Sequence, residues 1–134
     1  MTTTRWWWVR HAPVVGHGGR IYGQDDLDCD CSDTLTFESL ARLLPPNSVW
    51  VTSHLRRTQQ TARSIHAHLP GEAPAAPLVE PDLAEQHFGD WQGLTHDELH
   101  TQRPVNSNRA LCISLAELHL AADTAFSLHH VGHG

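Results

Sequence analysis

The sequence "RWWWVRHAP", Arg5 to Pro13, is the most informative stretch for the fold. Three Trp residues and Val9 make an apolar run that predicts a buried β-strand over residues 5–9. The run stops abruptly at Arg10 and His11, a charged pair with which a buried strand would not continue. We therefore expect the strand to deliver these two side chains to a site at its end.

The composition predicts one globular domain over residues 1–134, long enough to bury a core without disulfide bonds. The net charge of -6 argues against a nucleic-acid partner, because affinity for a phosphate backbone comes from clustered cations. All nine basic residues are Arg, and the chain has no Lys. Arginine offers fork-shaped donors that fit a phosphate or a carboxylate, so recognition of a small anion remains open.

The cysteine pattern predicts a reduced, cytoplasmic protein without membrane association. Cys29, Cys31 and Cys112 give no even disulfide framework, and no signal-peptide pattern or long apolar span is present. Cys29 and Cys31 could supply half of a metal site, but no second pair follows at a matching spacing, which favours a surface loop. His96 and His100 lie four residues apart on a predicted helix and provide only two ligands. We therefore expect no metal site.

Strands and helices alternate along the chain, which predicts an α/β fold with a mainly parallel sheet. The loop after the first strand, residues 12–28, is Gly-rich and long for its position, and such loops are more often functional than idle. Thr95 and Glu98 stand at the two positions of a helix capping box. The predicted elements are strands over residues 5–9 and 48–53 and helices over residues 32–44, 54–69 and 95–102.

Cationic and polar residues follow both strands directly. Arg10 and His11 follow the first strand, and Ser53, Arg56 and Arg57 follow the second. Ligands of parallel sheets collect beyond the carboxyl ends of the strands, so these residues should meet at one edge of the sheet. The N-terminus of the second helix begins there and adds its N–H groups and dipole. This edge is therefore predicted to bind an anion.

Three ordered motifs make the sequence resemble the histidine phosphatase superfamily, whose fold is that of phosphoglycerate mutase. They are "VRHAP" (9–13), "TSHLRRTQQTA" (52–62) and "LAEQHFGDWQGLTHDEL" (83–99). The stretch "YGQDDL" (22–27) is similar to the bacterial branch that includes α-ribazole phosphatase. The resemblance implies a three-layer α/β/α domain.

The resemblance also implies roles for individual residues. His11 would be the nucleophile that becomes a phosphohistidine, and Glu85 the general acid that protonates the leaving group. Arg10 and Arg57 would hold the phosphoryl oxygens. Ser53 would cap the second helix or touch the phosphate, and capping is favoured. The substrate would be a small phosphorylated metabolite, with no metal and no cofactor.

The sequence departs from the family in one motif. The family has a second catalytic His in a His-Gly-Gly motif before a helix that contains Arg-Ala-Leu. Aligning Arg109 to Leu111 with that helix places Pro104 at the His position, and the chain resembles a family member with an internal deletion. His133 precedes Gly134, but no helix follows, so we do not expect it to replace the missing residue. Residues 128–134 are expected to form a disordered tail.

Two functions follow from the match and from the departure. The first is a metal-independent phosphomonoester hydrolase, hence an enzyme, that acts through phosphohistidine; a mutase is less favoured in so short a chain. The alternative is a catalytically impaired or inactive remnant that binds phosphate. A missing strand would also leave a central sheet edge unpaired, and an open edge favours formation of a homo-oligomer.

Overall fold

The structure is a computed structural model that describes residues 3–71, 74–102 and 124–131, the last of these by their backbone alone. No helix in these ranges is long and apolar enough to cross a membrane. Short 3-10 helices span Pro81–Leu83 and Gly89–Trp91. The other elements are β1 (Thr3–Arg10), α1 (Thr34–Leu43), β2 (Val49–Thr52), α2 (Arg56–His66), β3 (Leu78–Val79), α3 (His96–Gln102) and β4 (Thr124–Val131).

The four described strands form one sheet in the order β1-β4-β2-β3. β4 is antiparallel to both β1 and β2, whereas β2 and β3 are parallel. It follows that β1, β2 and β3 all run in one direction and that β4 alone is reversed. The α/β class is confirmed, and the predicted parallel direction holds for β1 and β2, the two strands that the sequence indicated.

β4 corrects two expectations. Residues 128–131, expected to begin a disordered tail, belong to this strand, while residues 132–134 lie outside the described residues. β4 also fills the position between β1 and β2, so the expected unpaired central edge does not exist. The physical reason is that the facing N–H and C=O groups of β1 and β2 need partners, and an eight-residue strand supplies them to both. The oligomeric state stays a prediction.

Helices α1 and α2 pack against the sheet face that carries Val9 and Trp50. Both side chains are buried, together with residues of the two helices and of the turn after α1: Phe37, Ala41, Leu44, Ala62 and Ile65. The α1 N-terminus is capped by Asp33, whose carboxylate accepts from the backbone N–H of Thr36 at 3.1 Å. The core therefore lies between the sheet and these two helices.

The sequence predicted that the three Trp residues of β1 are buried, and this prediction is wrong. Trp6 is 54% exposed and Trp8 61% exposed, and their rings stack with centroids 6.2 Å apart. Successive side chains of a strand point to opposite faces, so Trp6 and Trp8 lie on the face opposite Val9. α1 and α2 cover the Val9 face near the end of β1, and Val9 is the only buried residue of the strand; Trp7, on the same face, is 37% exposed.

Candidate active site

β1 ends at a cavity of about 600 Å³. Arg10 and His11, which directly follow the apolar run, line it, and Glu85 lines it from a distant part of the chain. The structure thus brings together three of the five residues predicted for the site. The other lining residues come from the loop after β1, from the segment that follows Glu85 and from α3: Pro13, Val14, His17, Gly19, Arg20, Ile21, Tyr22, Gly23, Phe88, Trp91, His96 and Leu99.

The orientation of the His11 ring is set by its own loop. His11 is 9% exposed, and its Nδ1 lies 2.6 Å from the carbonyl oxygen of Ala12. A carbonyl oxygen only accepts hydrogen bonds, so Nδ1 carries the proton in this contact. The neutral ring therefore has its nucleophilic lone pair on Nε2.

The loop that carries His11 is tied to α2 through a hydroxyl group. The backbone N–H of Ala12 donates to Thr61 Oγ1 at 2.8 Å, and the same hydroxyl donates to the Arg57 carbonyl at 2.8 Å. Thr61 is buried, so both contacts are made away from water. Helix α2 therefore fixes the backbone position of the residue that follows His11.

Glu85 is held beside the cavity by the loop after β1. The Gln24 side-chain amide donates to the Glu85 carbonyl oxygen at 2.8 Å, and the Gln92 amide donates to Asp25 Oδ1 at 2.5 Å. The Glu85 carboxylate accepts from the backbone N–H of Gln86 at 3.0 Å. One hydrogen bond at each end of the segment 85–92 thus holds it against residues 24 and 25.

Residues 20–23 also pair with the segment that precedes α3. The Ile21 N–H donates to the Leu94 carbonyl at 2.8 Å, and the Gly93 N–H donates to the Ile21 carbonyl at 2.7 Å. Gly23 has a φ of +42°, and a Cβ there would lie 2.9 Å from the Phe88 ring. The left-handed backbone and this close approach both favour glycine at one wall of the cavity.

Arg57 lies behind the cavity rather than on its wall. It is 0% exposed, and its two terminal nitrogens donate to the carbonyl oxygens of Gly23 and Asp25, each at 2.7 Å. Its guanidinium also lies over the Tyr22 ring, 5.1 Å from the centroid. The contacts made by the two terminal nitrogens therefore hold the loop 22–25. The predicted contact with a phosphoryl group remains a prediction.

The start of α2 differs from its predicted role as an anion site. The backbone N–H of Arg56 donates to Asp26 Oδ1 at 2.6 Å, so a carboxylate of the chain itself already occupies this terminus. Ser53 Oγ accepts from the Leu55 N–H at 3.3 Å and lies 3.0 Å from Thr58 Oγ1. Ser53 is buried and does not line the cavity. The expectation that it caps α2 is wrong, because Leu55 is the N-cap residue of this helix, so Ser53 only organises the turn before it.

The sequence reasoning missed the residues that form the far wall of the cavity, among them Ile21, Trp91 and Leu99. The Trp91 side chain is 47% exposed and lines the cavity. The long Gly-rich loop was the available signal for Ile21. The capping box, now confirmed by the Thr95 N–H donating to Glu98 at 2.7 Å, was the signal for the helix that carries Leu99.

The sequence predicted a surface loop for Cys29 and Cys31, but their side chains are not fully exposed. Both are half-buried and pack against the core, with their Sγ atoms 3.6 Å apart. Burial raises the pKa of the Cys29 thiol to about 11. Within the described residues, no group of three or more His, Cys, Asp or Glu side chains could hold a metal ion.

Comparison with known proteins gives one family and several relatives. The model of the histidine phosphatase superfamily (branch 1) matches residues 6–112. The chain is 36% identical over 108 residues to the glucosyl-3-phosphoglycerate phosphatase of Mycolicibacterium vanbaalenii, with 72% of this chain and 45% of the relative covered. The chain covers only about half the length of this relative and of the structures below.

Two solved structures show the same fold. A mycobacterial glucosyl-3-phosphoglycerate phosphatase in complex with VO3 matches with a TM-score of 0.59 at 27% identity, covering 75% of this chain and 49% of that one. A putative α-ribazole-5′-P phosphatase of Escherichia coli K-12 matches with a TM-score of 0.56 at 24% identity, covering 74% and 49%. These likenesses confirm the predicted phosphoglycerate mutase-like fold in truncated form.

Proposed function

Since the chain belongs to the histidine phosphatase superfamily, we propose that it is a phosphomonoester hydrolase in which His11 is the nucleophile and no metal takes part. The observation that carries the proposal is the contact of His11 Nδ1 with the Ala12 carbonyl at 2.6 Å. It leaves the lone pair on Nε2, the state that a nucleophilic imidazole needs. A small phosphorylated metabolite is the proposed substrate.

In the first half of the reaction, Nε2 of His11 attacks phosphorus. The N–P bond forms as the bond between phosphorus and the ester oxygen breaks, and the ester oxygen leaves with the bonding electron pair. The carboxyl group of Glu85, which lines the same cavity, donates its proton to this oxygen. The leaving group departs as a neutral alcohol, and the enzyme holds a phosphohistidine.

In the second half, water replaces the alcohol. The Glu85 carboxylate takes a proton from the water as its oxygen attacks phosphorus, the N–P bond breaks, and Nε2 recovers its lone pair. Inorganic phosphate leaves. One carboxyl group thus serves as acid and then as base, and every group in the cycle returns to its starting state.

Arg10 is proposed as the group that holds the phosphoryl oxygens, because it adjoins His11 and lines the cavity. Arg57 is proposed as a second donor on the family resemblance of "TSHLRRTQQTA" (52–62), and its guanidinium contacts Tyr22 and Gly23, two residues that line the cavity. For Ser53 we propose a structural role in the turn before α2, because its side chain is fully buried there.

The test is hydrolysis of 4-nitrophenyl phosphate by the full chain in the presence of EDTA, with His11→Ala as the variant and His54→Ala as the control. His54 is exposed and lies outside the cavity. We expect activity that resists EDTA, survives in the control and is lost in His11→Ala. Activity that disappears with EDTA, or that persists in His11→Ala, would contradict the proposal.

The second candidate function is phosphate binding without turnover. One observation favours it: Val131, the last residue of β4, pairs with Thr3, at the end of β1 remote from His11. β4 therefore runs away from the cavity towards its C-terminal end. Pro104 and His133, the two positions considered for the second catalytic His, lie outside the described residues. Vanadate or phosphate binding that depends on His11 and Arg10, without hydrolysis of any ester by the folded protein, would support this function instead.

A further inference from the structure

The cavity extends well beyond the groups that react with a phosphate. Its volume of about 600 Å³ lies in the range of roughly 300–1,000 Å³ typical of pockets that bury a whole small molecule. His11, Arg10 and Glu85 account for one part of the wall. The rest must surround the alcohol portion of the ester, so its chemistry indicates what that alcohol is.

The wall away from these three residues is largely apolar. Ile21 and Val14 come from the loop after β1, Phe88 and Trp91 from the segment after Glu85, and Leu99 from α3. Four of these side chains are half-buried and Trp91 is 47% exposed, so their surfaces are open to a ligand. Burying apolar and aromatic surface against them is the main favourable contribution that this wall offers.

Besides its apolar side chains, the wall away from His11, Arg10 and Glu85 carries one Arg and the polar side chains of His17, Tyr22 and His96. Its Arg residue is Arg20, whose Nη1 donates to the Gly93 carbonyl at 2.7 Å and lies 3.6 Å from Glu98 Oε2. Hydrogen bonds from Thr95 lower the pKa of Glu98, so this carboxyl is ionised at neutral pH and offsets the Arg20 charge. A carboxylate on the substrate would face a cation that already has an anionic partner.

We infer that the cavity selects phosphomonoesters of alcohols that carry an aromatic ring, with Trp91 and Leu99 as the residues that set this preference. The inference rests on the proposed function and deepens it. The phosphoryl group lies between His11 and Arg10, and the ring of the alcohol packs on Trp91 and Leu99. A polyhydroxy or carboxylated alcohol placed against Trp91 and Leu99 would desolvate its polar groups without finding hydrogen-bond partners on these two side chains.

The experiment measures binding rather than turnover, so that it is independent of the chemistry. Calorimetry compares 2-phenylethylphosphonate with 2-carboxyethylphosphonate, which share a phosphonate and an alkyl linker and differ at the far end. We expect the phenyl compound to bind the full chain at least about tenfold more tightly, because its ring buries apolar surface and packs on an aromatic side chain. Equal binding, or tighter binding of the carboxyl compound, would overturn the inference, as would no binding of either.

Variants of Trp91 and Leu99 test whether these two side chains set the preference for the phenyl compound. Trp91→Ala and Leu99→Ala should each reduce the phenyl-to-carboxyl ratio about fivefold or more, and Trp91→Phe should retain most of it. Trp8→Ala is the matched control, since Trp8 is also about half exposed but lies on β1 outside the cavity. Orthovanadate binding reports whether each variant keeps an intact phosphoryl site. A ratio unchanged in both alanine variants would contradict the assignment.

Failure of the inference and failure of the proposed function give different results. If the chain binds the phenyl compound selectively but hydrolyses no ester, the proposed hydrolysis is wrong and the binding preference stands. If it hydrolyses esters through His11 but binds both phosphonates equally, the proposed function stands and the inference is wrong.

Discussion

The hydroxyl of Thr61 accepts a hydrogen bond from the backbone N–H of Ala12 at 2.8 Å, which ties the residue after the proposed nucleophile to helix α2. The same hydroxyl donates its own proton to the Arg57 carbonyl at 2.8 Å, so the group acts as acceptor and as donor. The position of His11 in the cavity therefore depends on a buried side chain that does not line the cavity.

Replacing Thr61 by Val should remove this tie with little change in shape. The Ala12 N–H would lose its partner in a buried setting, which costs about 1–3 kcal/mol in the free energy of unfolding. Catalytic turnover should fall as well, because Nε2 of His11 is no longer held in place. Thr61→Ser keeps the hydroxyl and should therefore keep most of the stability and most of the turnover. Urea unfolding and hydrolysis of 4-nitrophenyl phosphate measure the two effects, and a Val variant as active as the Ser variant would contradict this role of Thr61.

Arg57 and Arg56 form a natural pair for comparison, since they are adjacent on α2 but differ in burial. Arg57→Met should lower the free energy of unfolding by roughly 2–4 kcal/mol, because two carbonyl oxygens lose charged donors. Arg56 makes an exposed ion pair with Asp28 at 2.7 Å, so Arg56→Met should cost only about 0–1 kcal/mol. Urea denaturation measures both values, and similar losses of unfolding free energy for the two variants would be inconsistent with the structure.

His66 makes stability depend on pH. Its ring meets Trp50 edge-on with centroids 4.3 Å apart, and burial lowers its pKa below the usual 6.5. Between the lowered pKa and 6.5 the unfolded chain binds more protons than the folded one. Stability from this residue is thus complete above pH 6.5 and is lost as pH falls below it. His66→Phe should flatten the unfolding midpoint between pH 5 and 7, whereas a slope equal to that of the parent protein would show that His66 is not responsible.

Glu85 should matter most when the leaving group needs a proton. Glu85→Gln keeps the shape of the side chain and removes the acid, so hydrolysis of an alkyl phosphate should fall by about 100-fold or more. Release of nitrophenolate from 4-nitrophenyl phosphate in the first turnover should fall much less, since nitrophenolate leaves without protonation, whereas the later hydrolysis of phosphohistidine still needs Glu85 as the base. Single-turnover release of the alcohol or phenol from the two esters tests this, and an equal loss on both would exclude Glu85 as the proton donor.

The sequence predicted the local parts of the site but not its long-range contacts. The break of the apolar run at Arg10 and His11 and the capping box of Thr95 and Glu98 were visible because both depend on neighbouring residues. The position of β4 depends on pairing across more than a hundred residues, which local patterns do not contain. The contacts of Arg57 with the carbonyls of residues 23 and 25 were hidden for the same reason, since backbone oxygens carry no sequence signature.

The burial of β1 shows a related limit. An apolar run such as that of Trp6 to Val9 predicts a strand, but the number of covered faces depends on which helices pack on the sheet. α1 and α2 both lie on the Val9 face, which leaves Trp6 and Trp8 about half exposed. The wall formed by Trp91 and Leu99 was missed because its residues meet only after the loop 20–23 pairs with residues 93–95.

The proposed mechanism depends above all on transfer of the phosphoryl group to Nε2 of His11, and that intermediate can be observed. The full chain is mixed with an aryl phosphate, quenched under alkaline denaturing conditions that preserve phosphohistidine, and examined by phosphorus NMR and peptide mass spectrometry. We expect one phosphoryl group on His11, bonded to Nε2. A phosphoryl group on Nδ1 or on another residue, or continued hydrolysis with His11 never phosphorylated, would contradict the mechanism.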